Sequence, residues 1–324
     1  MLLLLMCHVL HANATTPVTR RGTARKSILR HLAICVIIRR RREPGSYSDS
    51  EEPSIPIGKV DVMPDHRVIV VSIPKSGTYL VAELLKALGY RWTGMHLAET
   101  AYTDYSNSNL EQARQDPGRF ARSEPLSTSL GRIRPGEFAV GHLPFKDEVI
   151  EATRPLKCLY VTRDLRSALI SYMRFMHSTG RLGAKHLAWY PLADLRQRCL
   201  VFLQTTAPYM LKRFYDGMVG WSKLDGVLHV RFEDLTGEVA RARQVIESVA
   251  SYLGGPHCDA ASVLRTSLAT ETITKSDGLT RLEDYWSSIA ERRFIEIGGQ
   301  ELNVRLGCMP IAEIPYAMFR NHAA

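Results

Sequence analysis

Cysteine is sparse and scattered in this chain. Six residues (Cys7, Cys35, Cys158, Cys199, Cys258 and Cys308) lie far apart along 324 positions, with no Cys-x-x-Cys pair and no tight Cys/His cluster. That spacing excludes a zinc finger or ribbon and favours buried, reduced thiols over a disulfide framework. Long apolar runs are missing too. Residues 32–38 stop after seven positions, far short of the roughly 20 needed to cross a bilayer. What remains is 45% hydrophobic and 23% charged, proportions that exclude wholesale disorder and a multi-span membrane protein.

The net charge of +9 is unevenly placed. Residues 1–62 hold ten Lys/Arg against five Asp/Glu, so more than half of the surplus sits in the first fifth of the chain. The rest suits a pocket for a small polyanion and requires no nucleic-acid groove. The apolar start and the Ala-x-Ala pattern at Ala12-Asn13-Ala14 resemble a secretory signal, but no positive charge precedes the apolar stretch. A cytoplasmic location is therefore expected. Four arginines (Arg39 to Arg42) lead into an acidic, Pro/Ser-containing linker. We read residues 1–60 as a basic, unstructured tail and residues 61–324 as one domain. Apolar plus polybasic sequence is also the combination of a membrane-surface anchor, and Met63 is an alternative start.

Residues 67–73 (Arg-Val-Ile-Val-Val-Ser-Ile) form a β-branched run of the kind found in buried parallel strands. The run stops at Pro74-Lys75-Ser76-Gly77-Thr78, and from Thr78 the leucines at 80, 84, 85 and 88 take helical spacing until Gly89. A helix that starts there presents unpaired N–H groups and a favourable dipole to an anion. Gly77 permits close approach, Ser76 and Thr78 offer hydroxyls, and Lys75 adds a full charge. The loop is not a Walker A motif, because Lys75 precedes the glycine instead of following it.

A second such unit follows. Residues 157–162 read as a buried strand, Arg163 stands at its carboxyl end, and residues 167–176 have helical spacing with Ser171 about two turns along. Ligands of open parallel sheets bind outside the carboxyl ends of the strands, so both anion sites are expected on one rim. Residues 138–140 read as another strand, ending just before Gly141-His142-Leu143-Pro144.

These segments resemble the sulfotransferase family that uses 3′-phosphoadenosine-5′-phosphosulfate (PAPS). Residues 70–78 resemble its 5′-phosphosulfate loop, residues 160–172 its 3′-phosphate motif, and residues 141–144 the segment with its catalytic histidine. Residues 230–235 (Val-Arg-Phe-Glu-Asp-Leu) resemble a later strand of the family. The resemblance runs from about Val68 to Gly307. It departs at Thr78-Tyr79-Leu80, where many members have Thr-Thr-Trp, and at Phe232, which replaces a tyrosine. Lys275-Ser276-Asp277-Gly278 through Arg281 occupies the region of the animal enzymes' Arg-Lys-Gly.

The resemblance implies an α/β fold with a mostly parallel central sheet flanked by helices, the P-loop-NTPase-like sulfotransferase fold. It implies sulfuryl transfer from PAPS to a hydroxyl of a small molecule, glycan or tyrosyl acceptor, with no metal required. Lys75 would contact the 5′-phosphate and bridging oxygen, with Ser76, Gly77 and Thr78 completing the cradle. Arg163 and Ser171 would take the 3′-phosphate, and His142 would be the general base. Glu99, with His96 nearby, is the rival base. Rival functions are an ATP-dependent kinase on a related fold and a nucleotide-binding module without catalysis. The aromatics Trp189, Tyr190, Tyr209 and Trp221 fit an acceptor pocket or a packed core.

Overall fold

A computed structural model of the chain describes residues 65–179, 187–255, 258–272 and 281–308. The expected tail, residues 1–60, and the Lys275–Gly278 segment lie outside the described residues.

The opening β-branched run becomes strand β1 (Val68–Ser72), buried at every position. It leads through the turn into helix α1 (Thr78–Ala87). Strands β2 (Arg91–Leu97), β3 (Ala101–Asp104), β4 (Ala121–Ser123) and β5 (Glu137–Gly141) follow, then β6 (Lys157–Thr162) and helix α2 (Leu165–Thr179). After strand β7 (Val227–Arg231) come helices α3 (Val239–Tyr252) and α4 (Ala260–Ala269). The seven strands form one sheet in the order β4-β3-β2-β5-β1-β6-β7. Pairing is parallel from β2 through β7 and antiparallel only at β3 and β4.

Alternation along β1 splits the core into two layers, because successive side chains point to opposite faces. Val68 and Val70 pack with Leu84, Leu85, Ile246 and Leu264 under α1, α3 and α4. Ile69 and Val71 pack with Leu169, Met173, Trp189 and Trp221 on the α2 side. The central parallel strands are thus covered on both faces, as parallel pairing requires.

One boundary differs from expectation. Strand β7 ends at Arg231, and Phe232–Thr236 is a short helix, so Phe232, Glu233 and Asp234 occupy a first helical turn. The four described cysteines are free thiols, three of them buried. Trp189 and Trp221 are core residues with satisfied indoles: Trp189 Nε1 donates to Thr206 Oγ1 at 2.9 Å, and Trp221 Nε1 to the Leu143 carbonyl at 2.9 Å. Tyr209 is exposed and Tyr190 half-buried. No described helix is long and apolar enough to cross a membrane.

Candidate active site

Strand β1 lies between β5 and β6 in the sheet, so the loops leaving the three carboxyl ends are neighbours. In the first, Lys75 (φ 67°) and Gly77 (φ 92°) are left-handed, which turns the chain sharply into α1. A Cβ on Gly77 would stand 2.4 Å from Phe232 Cδ2, so a side chain there would collide with the ring. The N–H groups of Gly77, Thr78 and Leu80 find no backbone acceptor among the described residues, and Gly77 brings no side-chain cap. An anion is the natural partner for such a turn.

The two hydroxyls of the loop point inward. Ser76 is fully buried and its Oγ donates to the Ile73 carbonyl at 2.8 Å and the Val161 carbonyl at 3.2 Å. Thr78 Oγ1 lies 2.7 Å from Ser72 Oγ. These side chains satisfy polar groups at the strand ends and brace the loop, leaving Lys75 and the backbone N–H groups to face the rim. The Lys75 ammonium stands 4.4 Å from the Phe175 ring centroid. Phe175 lies one turn beyond Ser171 on the same face of α2, and both are half-buried.

Arg163 meets this loop directly. Its Nη1 donates to the Lys75 carbonyl at 3.2 Å, its guanidinium stacks 4.1 Å from the Phe232 centroid, and its buried Nε has no acceptor. Burial lowers its pKa, while Glu233 and Asp164 act in the opposite sense; a guanidinium stays charged regardless. An Arg163–Asp164 ion pair is not formed. Asp164 instead caps α2 through the N–H of Arg166, accepts from Asn303 Nδ2 at 2.6 Å, and pairs with Arg166 at 3.3 Å. The fully buried Arg166 is further held by Glu291 and Gln300, each at 2.6 Å.

His142 follows β5. Its backbone N–H donates to the Leu97 carbonyl at 3.1 Å, an approach that needs Gly141, where a Cβ would lie 2.7 Å from that same oxygen. The ring is fixed from the other side: His142 Nδ1 donates to the Ser72 carbonyl at 2.7 Å. A carbonyl can only accept, so in the neutral ring Nε2 carries the free lone pair. Burial and the nearby Lys75 charge lower the His142 pKa to about 4, against the upward pull of the Ser72 carbonyl. The imidazole is therefore neutral at neutral pH, with a bare Nε2 lone pair.

Glu99 also lies near the carboxyl end of β2, but its carboxylate is ion-paired to Lys146 at 2.6 Å. In the sequence, Tyr79 and Phe232 stood out only as departures from the family pattern, and Phe175 not at all. The one available signal was position: Phe175 repeats four residues after Ser171, and Phe232 follows directly on the end of a strand. Among the described residues no group of three or more His, Cys, Asp or Glu side chains is arranged to hold a metal ion. A surface depression of about 470 Å³ is lined by residues such as Lys86, Trp92 and Tyr105 and by none of the groups above.

A family model described as "Sulfotransferase domain" matches residues 65–270. Among solved structures, mouse sulfotransferase SULT7A1 complexed with PAP is similar at 16% identity, with a TM-score of 0.47, over 73% of this chain and 88% of that one. Retinol dehydratase in complex with androsterone and inactive cofactor PAP is similar at 17% identity and a TM-score of 0.37, over 74% and 69%. The sulfotransferase domain from the curacin biosynthetic pathway is similar at 16% identity and a TM-score of 0.35, over 72% and 98%. No curated protein sequence matches the chain.

Proposed function

The chain belongs to the sulfotransferase domain family, and from that premise we propose that it moves a sulfuryl group from PAPS to an acceptor hydroxyl, with His142 as general base. The observation that carries the reading is the contact between Arg163 and the Lys75 carbonyl. It joins two anion-binding loops into one rim, which suits a nucleotide with phosphates on both sides of its ribose.

The residues present fit that ligand. Arg163 offers an unpartnered buried Nε, the first turn of α1 offers open N–H groups, and Lys75 supplies charge. Arg163 and Ser171 would hold the 3′-phosphate, while Lys75, Gly77 and the Thr78 N–H would hold the 5′-phosphate. Ser76 and the Thr78 hydroxyl would act indirectly, by keeping the loop in shape. His142 Nε2 would take the proton of the acceptor hydroxyl as the new O–S bond forms. Lys75 and the loop N–H groups would stabilise the charge left on the 5′-phosphate as the old S–O bond breaks. The products are the sulfated acceptor and 3′,5′-bisphosphoadenosine.

Thermal-shift measurements with bisphosphoadenosine beside ATP–Mg²⁺, followed by sulfate-transfer assays on a hydroxyl library, test the reading. The expected result is stabilisation by the bisphosphate and sulfated product. Preference for ATP–Mg²⁺ would favour a kinase; bisphosphate binding without any transfer would favour a non-catalytic module.

A further inference from the structure

Beside His142 stands a second imidazole. His96, near the end of β2, lies edge-on to it, with ring centroids 4.7 Å apart and planes at 70°. The strand is irregular just before this point. Its pairing to β5 shifts between Trp92↔Phe138 and His96↔Val140, so four steps along β2 correspond to two along β5. That bulge holds His96 beside Val140, two residues before His142; bulges commonly re-aim side chains in this way next to active sites. His96 is also oriented from behind, because Tyr79 OH lies 2.9 Å from its Nδ1. Tyr79 is one of the two residues, with Leu80, that depart from the family's Thr-Thr-Trp pattern, and its hydroxyl is on His96.

The two rings are complementary. His142 donates through Nδ1 and keeps a bare Nε2. When the Tyr79 hydroxyl donates to His96 Nδ1, the proton of the neutral His96 ring sits on Nε2. Neither Nε2 has a hydrogen-bond partner among the described residues, and neither is among the buried polar atoms left unsatisfied. Each ring is half-buried, so each Nε2 keeps some exposure. With that tautomer, one ring offers an acceptor and its edge-on neighbour a donor.

We propose that His96, oriented by Tyr79, is an acceptor-binding residue, and that the site selects acceptors with a second hydroxyl next to the reacting one, such as a catechol or a vicinal diol. The reacting hydroxyl gives its proton to His142 Nε2, while the neighbouring oxygen accepts from His96 Nε2–H. A monohydroxyl acceptor leaves that donor unmatched, the situation in which a polar site discriminates most strongly. This inference rests on the sulfotransferase reading for the identity of the reacting group, but its test does not depend on turnover.

The experiment titrates catechol and phenol into the full chain by calorimetry, with and without bisphosphoadenosine, beside sulfate transfer from PAPS to both. Catechol is expected to bind about tenfold or more tightly than phenol, the worth of one well-placed hydrogen bond. His96→Ala should bring the ratio close to one, His96→Gln should keep part of it, and Tyr79→Phe should lower it by freeing the ring. Tyr79→Phe removes a single oxygen and so remains informative if His96→Ala does not fold. A wild-type ratio near one, or a ratio that survives both His96→Ala and Tyr79→Phe, overturns the proposal. Catechol preference in binding with no sulfate transferred to either compound would support this inference while removing the sulfotransferase reading.

Discussion

Arg163 Nη1 donates to the carbonyl oxygen of Lys75 at 3.2 Å across 88 residues of sequence. That bond ties the carboxyl end of β6 to the loop after β1, and Phe232 closes over both, touching the Arg163 guanidinium on one side and the Gly77 backbone on the other. The positions of the two loops are thus coupled.

Arg163→Ala should weaken bisphosphoadenosine binding by about ten- to a hundredfold, the loss of one or two charge-assisted hydrogen bonds. Arg163→Lys should recover little, because an ammonium has no planar fork to reach both the Lys75 carbonyl and a phosphate. Calorimetric titration of the two variants measures this; wild-type affinity in Arg163→Ala would remove Arg163 from the nucleotide site.

Gly77→Ala should be costly twice over, through a left-handed backbone and through collision with Phe232. We expect destabilisation of about 1–3 kcal/mol and loss of nucleotide binding. Gly77→Ala with Phe232→Ala should recover part of the stability, since the double variant relieves the collision but not the backbone strain. Denaturant titration of the three proteins reads the difference.

His142→Ala should abolish sulfate transfer while bisphosphoadenosine binding survives, and Glu99→Ala should retain transfer because that carboxylate is engaged with Lys146. The reverse pattern would assign the base to Glu99. With His142 held at about 4 by burial and the nearby Lys75 charge, the acidic limb of kcat/KM should fall near pH 4, not near the 6.5 of a free imidazole. Beside burial, Lys75 is the charged neighbour that lowers this value.

Stability should decline in acid for the same reason. His142 and His96 both have folded-state pKa values below that of an unfolded histidine, chiefly through burial. The unfolded chain therefore binds protons first: their contribution is complete above about pH 6.5 and is lost below it, for His142 as the pH falls toward about 4. Melting temperature against pH in wild type and His142→Gln tests this, and the variant should show a shallower slope across that window.

Arg166→Ala should cost about 3–5 kcal/mol by leaving Glu291 and Asp164 without their buried partner. Arg166 belongs to the α2 anchor and not to the rim. Thermal melting of this variant, compared with Arg163→Ala, separates the fold's arginine from the ligand's.

Much of the scaffold was legible because the central strands are short apolar runs with clear ends. The strand expected at 157–162 matches β6 residue for residue, the helix expected from Thr78 starts there, and the strand at 138–140 extends by one residue at each end. The strand expected to continue through Phe232 did not, since a Glu-Asp pair after an apolar strand is equally suited to the first turn of a helix.

Lys75, Arg163 and His142 could be singled out from local pattern alone, because strand, turn and helix succeed one another within a dozen residues and each turn announces its own anion or proton chemistry. Which way Ser76 and Thr78 point, that Asp164 serves Arg166 and not Arg163, that Phe232 closes over the loop glycine, and that His96 stands against His142 were decided by the folded sheet. Those relationships depend on strand order and on a bulge in β2. They join residues dozens of positions apart, and local spacing carries no information about such pairs.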